Sequence, residues 1–190
     1  MTEEKKEANL VVAGLKFNGS EMGEACRQEK NTQVAITLLA FSVLLATVLA
    51  FIYGNGGNSG FGRSGYIGWT AAIAEFGSSM IGTFFSAYVM IYVIRIYKVK
   101  ITYPETLRLY GAAIIWTILG ALFGLLPNLG VVGMVVGIAL WLAYNFSLMF
   151  GVAGYTKIKI WQAFLTIVLT FVVVFIAIIL YGVVISAIFG

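Results

Sequence analysis

Charged residues vanish from this chain over intervals that have the length of membrane crossings. No Asp, Glu, Lys or Arg occurs from Asn31 to Gly62. A crossing helix needs about 20 apolar residues, so a first span is expected at 34–53. It runs into GNGGNSGFGRSG, a glycine, asparagine and serine loop that holds helix poorly. A second apolar stretch, 66–94, contains Glu75 and the small-residue patch GSSMIG. From Leu109 to Thr156 there is again no charge, too long an interval for one crossing. LLPNLG divides it, because Pro-Asn favours a turn and Gly130 accepts any backbone dihedral. Spans three and four are therefore expected at 107–126 and 129–150. A fifth is expected at 161–189, long enough to tilt. The pattern predicts an all-α, polytopic transmembrane helix bundle of five spans. Residues 1–32 form its amino-terminal tail and 33–190 its transmembrane domain.

Composition agrees and removes whole classes of chemistry. Hydrophobic residues make up 61% of the 190 and charged residues only 11%, a balance that a water-soluble core of this size cannot hide. Histidine and aspartate are absent, and all eight acidic residues are glutamates. That excludes most metal-ligand sets, the serine-histidine-aspartate triad and aspartate-held magnesium. The expectation is a protein without enzymatic activity, metal or cofactor, and without a nucleic-acid partner. Cys26, the single cysteine, forms no internal disulfide. It is read as a solvated or membrane-edge thiol.

The basic residues orient the bundle. Lys5, Lys6, Lys16, Arg27 and Lys30 precede the first span. Arg95, Lys98, Lys100 and Arg108 surround the second loop, and Lys157 and Lys159 the fourth. The other side of the membrane receives Arg63 alone, so alternate faces carry 11 and 1 basic residues. Positive charge marks the cytoplasmic side, which places the amino terminus inside and the carboxyl terminus outside. The opening segment shows no removable signal peptide. Its apolar stretch from Leu10 to Phe17 fits a short interfacial helix and a frayed tail equally.

Polar residues within the spans are the candidate sites. Glu75 is the ionisable residue with a claim to burial, and such residues are functional suspects by default. Its depth depends on where the second span begins. It is expected to cap or face the glycine loop, or to form an outward-facing site with Ser78 and Ser79. Asn145 is expected in an interhelical hydrogen bond, and Trp116 and Trp141 against neighbouring helices. Gly120-x-x-x-Gly124 and Gly133-x-x-x-Gly137 each place small residues on one face, which suits a close antiparallel hairpin of the third and fourth spans. Arg95, Lys98, Lys100, Arg108, Lys157 and Lys159 form a cytoplasmic basic surface. Thr102-x-x-Glu105 has capping-box spacing with Pro104 in the first turn, so the third helix starts there.

ETLRLYGAAIIWTIL, LLPNLGVVGMVVGIALWLAYN and GVAGYTKIKIWQAFLTIVL together resemble the Yip-domain family, the Ypt/Rab-interacting class of five-span membrane proteins. The likeness covers roughly Tyr103 to Leu180, and the first two spans by layout. It implies a cytoplasmic amino terminus, five spans, a short carboxyl tail and no catalytic residues. Eukaryotic members carry an Asp-Leu-Tyr-Gly-Pro motif that a chain without aspartate lacks, and the closer likeness is to prokaryotic relatives. The resulting expectation is a membrane scaffold or accessory subunit in a prokaryotic cell membrane. Its partners would be the lipid bilayer and another membrane protein or a second copy. The alternative is a small-molecule or ion binding component built on Glu75.

Overall fold

A computed structural model describes residues 9–53, 68–125 and 130–189. Among these residues five helices are long and apolar enough to cross a membrane, at Asn31–Tyr53, Trp69–Arg95, Tyr103–Phe123, Val131–Thr156 and Ile160–Ile188. The expected bundle is all-helical with five spans, as its charge-free intervals require. The ends of the predicted spans at 66–67 and 126–129 lie outside the described residues, as does the glycine loop.

Two short helices precede the spans: α1 at Leu10–Leu15 and α2 at Gly19–Arg27. Asn9 and Asn18 begin them, each side-chain oxygen accepting from two backbone N–H groups of the first turn, the usual remedy for unpaired helix starts. The first span is α3, Asn31–Tyr53. The second is one continuous helix in three parts: α4 at Trp69–Met80, a π-helical turn at Ile81–Phe85 and α5 at Ser86–Arg95. The small-residue patch therefore produces a wider turn and no break. Ser86 Oγ donates to the Gly82 and Thr83 carbonyls there, at 2.6 and 2.9 Å.

The third span consists of α6, Tyr103–Ala113, and α7, Ile115–Gly124. The predicted capping box starts it, with the Thr102 N–H donating to Glu105 Oε2 at 2.6 Å. The fourth and fifth spans are α8, Gly130–Thr156, and α9, Ile160–Phe189. Gln162 Oε1 accepts the Lys159 N–H at 2.9 Å and caps α9.

Burial is uneven along the bundle. In the third span 56% of the most apolar window is buried, against 11% in the fourth, so α6 is central and α8 turns most of its surface to lipid. The main core lies at the end of the bundle carrying the basic loops, called here the basic end. Leu10, Met22, Leu39, Met90, Ile94, Leu109 and Val152 interlock there. A smaller cluster of Val89, Val93 and Val174 joins α5 to α9.

Leu10, Met22 and Cys26 belong to that core, so residues 9–30 match neither expectation for the tail. They are docked helices rather than a frayed segment or a helix lying alone on the membrane surface. The cause is close backbone approach at glycines. A Cβ on Gly14 would collide with the Ala112 carbonyl, and one on Gly154 with that of Gly19. One on Gly23 would meet the Gly154 carbonyl at 2.7 Å. The Gly14 carbonyl accepts from Trp116 Nε1 at 3.2 Å and from Ser147 Oγ at 3.0 Å. Phe17 stacks on Trp116 with ring centroids 5.1 Å apart. Ala112 and Ser147 are each nine residues in from Tyr103 and Thr156, the basic-end termini of their helices. At about 1.5 Å per residue, the α1–α2 hairpin reaches roughly 14 Å along the spans.

Candidate functional site

Polar side chains gather at two levels of the bundle. At the end opposite the basic loops, Glu75 lies two turns inside the start of α4. It is 20 residues from Arg95, about 30 Å along the helix, which equals the thickness of the hydrocarbon layer. Ser79 Oγ donates to Glu75 Oε1 at 2.9 Å. Ser78 instead donates to the Ala74 carbonyl at 2.9 Å, so one of the two expected serines joins the carboxylate. Tyr181 of α9 packs its ring on Gly77 and donates to the Ile73 carbonyl at 2.9 Å. The group assembled is one carboxylate and one hydroxyl, with the Tyr181 phenol packed on Gly77 and bonded to Ile73. A bare cation wants roughly six oxygen ligands, more than these supply.

Asn145 does not bridge helices as expected. Its Nδ2 donates to the Trp141 carbonyl one turn earlier in α8, at 2.8 Å, because its face of α8 looks onto an open groove. That groove between α8 and α9, about 280 Å³, is lined by Trp141, Asn145, Phe146, Met149, Phe164 and Phe171 among others. Trp141 is exposed there and does not pack on a neighbouring helix, whereas Trp116 does. Gly120 faces Leu140 of α8 at ordinary contact distance, and a Cβ on Gly137 would meet nothing. Gly133 is half-buried, and the surroundings of Gly124 lie outside the described residues. Besides Gly77 under Tyr181, the tight approaches are made by Gly14, Gly19, Gly23, Gly111, Gly151 and Gly154. Except for Gly111 in the third span, their signal in the sequence was small residues at helical spacing in the tail and at the end of the fourth span.

At the basic end Arg95, Lys98, Lys100, Lys157 and Lys159 are all exposed. Arg95 lies over the Tyr92 ring, 5.3 Å from its centroid, and the Tyr92 and Tyr88 hydroxyls are 2.7 Å apart. Lys98 and Lys157 both have φ near +60°, which turns the chain sharply between spans.

Arg108 is a correction to the predicted basic surface. It is 4% exposed, because α2 and the start of α3 close over the face of α6 that carries it, and Nη1 donates to Thr32 Oγ1 at 3.2 Å. Cys26 is likewise buried rather than solvated. Burial pushes its thiol up to about 12, against the pull of Arg108 and Arg27, so at neutral pH it stays protonated.

The family model of the Yip1 domain matches residues 18–182. The chain belongs to the Yip1-domain family. No curated protein and no solved structure is significantly similar to it. As a Yip1-domain protein it is an integral, multi-pass membrane protein. The match begins at Asn18, the cap of α2, so the family unit takes in α2 along with the five spans.

Proposed function

We propose that this Yip1-domain protein is a non-enzymatic scaffold or accessory subunit of a membrane complex. In this reading its basic end lies in the cytoplasm of a prokaryotic cell, and its carboxyl terminus on the other side. The observation that carries it is the grouping of five exposed cations, Arg95, Lys98, Lys100, Lys157 and Lys159, around a packed core at one end. A rigid, positively charged platform suits a protein or lipid partner better than a substrate. Binding of small GTPases is not proposed, because the aspartate-containing motif of eukaryotic members is missing. The test is purification in mild detergent followed by identification of what accompanies the protein. A partner in fixed stoichiometry, lost when Lys98, Lys100 and Lys159 become glutamine, is expected. A monomer that retains no protein partner would sink the proposal.

A second reading rests on Glu75, Ser79 and Tyr181, which packs on Gly77. It is a small-molecule or ion site open at the far end of the bundle. A reproducibly bound solute that disappears in Glu75→Gln would favour it over the scaffold.

A further inference from the structure

One buried cation at the basic end makes no direct ion pair among the described residues. Arg108 is five residues into α6, about 8 Å from the start of the span. Its Nε finds no acceptor, and among the described residues no ion pair reaches it. Glu105, one turn earlier on the same helix, attracts Arg108 from a distance but gives its oxygen to the Thr102 N–H that caps α6. Cys26 stays a neutral thiol and supplies no charge.

The hydrogen bond to Thr32 aims the guanidinium at the first turn of α3, a helix of 23 residues. A helix start carries partial positive charge, favouring an anion and disfavouring a cation. Gln28, one turn before Thr32, buries Oε1 without a donor. A buried guanidinium whose Nε lacks an acceptor and whose nearest carboxylate is held elsewhere leaves room for a further anion, because an incompletely paired buried cation is unfavourable.

We infer that the corner between the α2–α3 turn and α6 binds the phosphate of a lipid headgroup. The Arg108 guanidinium holds it through the Nε that has no acceptor, beside the first turn of α3. Phosphate oxygens match the fork of an arginine better than any other anion the bilayer supplies. Basic recesses between spans at this depth are where headgroups are taken up. Exposed apolar side chains nearby, Val34 and Ile36 on α3, offer the acyl chains a surface beside the phosphate. Gln28 Oε1 accepts from the hydroxyl or ammonium that many headgroups carry next to it.

The experiment uses the full chain stripped of lipid in maltoside micelles, then offered phosphatidylglycerol, a phosphate-free glycolipid of equal chain length, or inorganic phosphate. Native mass spectrometry reads retention, and the thermal midpoint reads stabilisation. Phosphatidylglycerol is expected to be retained and to raise the midpoint, and the glycolipid is not. Arg108→Gln should lower retention about tenfold, the range of a lost charged contact. Gly137→Ala, in open surroundings on α8 and away from the corner, should not. Where Arg108→Gln does not fold, Arg108→Lys keeps the charge but loses the fork, and weaker retention is again expected. Equal retention of both lipids by the native protein overturns the inference. So does an Arg108 variant that holds phosphatidylglycerol undiminished, a midpoint raised equally by inorganic phosphate, or an acidic peptide found at the site instead. These outcomes do not depend on whether a protein partner copurifies, so this inference and the scaffold proposal fail separately.

Discussion

Gly154 and Gly19 bring two helices together through their backbones, with no room for a methyl group between them. Gly154→Ala is therefore expected to force α2 away from α8. The cost is about 1–3 kcal/mol, typical of overpacking, and outweighs the helix-propensity gain. Gly137→Ala, in open surroundings, keeps that gain of up to about 1 kcal/mol. Thermal unfolding in one detergent compares the two, and similar shifts for both would contradict the seat described for α2. Cys26 yields a pH prediction. Its thiol is raised to about 12 by burial, while an unfolded thiol ionises near 8.5. The folded state thus holds the proton longer than the unfolded state. The contribution is complete below about pH 8.5 and is lost as pH rises from there towards 12, at up to about 1.4 kcal/mol per pH unit. Cys26→Ala should flatten that alkaline decline, seen as a smaller fall in melting midpoint between pH 8 and 10.

The spans were legible because charge-free length is a one-dimensional property that the bilayer reads directly. The start of the third helix was legible too, since Thr102, Pro104 and Glu105 act locally. The α1–α2 hairpin was not. Its glycines look like linker glycines until Ala112 and Gly154 are placed beside them. The GxxxG pairs misled for a related reason: spacing defines a helix face without saying which face meets a partner. Arg108 was assigned to the surface because its cover comes from α2 and α3, elements distant in sequence. As docked elements, α1 and α2 should exchange their amide hydrogens slowly, in step with α6. Hydrogen exchange that is complete within seconds across residues 10–27 would show the hairpin to be undocked.

At the scale of the whole molecule, the five spans follow from the apolar pattern and the family from the match to its model, whereas orientation rests on the counting of charges. Cysteines introduced at Lys98 and Lys157 are expected to react with a membrane-impermeant maleimide only after the cytoplasmic side is opened. One at Tyr53 should react in intact cells. Native Cys26, buried in the core, should label far more slowly than any of them, so the wild-type background serves. Reaction of position 98 in intact cells would invert the assigned topology. Nothing in the pattern of residues specified a partner, because partner choice depends on surface shape, which apolar periodicity does not encode.

The docked hairpin also sets an order of events during synthesis. The Gly14 carbonyl waits for Ser147, 133 residues later in the chain. At roughly 5–20 residues per second, the first helices leave the ribosome about 7 to 27 seconds before their seat exists. Through that interval Leu10, Met22 and Cys26 have no core to enter. Closure of the hairpin is thus a late step of biogenesis, and for those seconds the nascent chain offers an apolar, glycine-rich segment to whatever insertion factor or chaperone stands at the membrane surface.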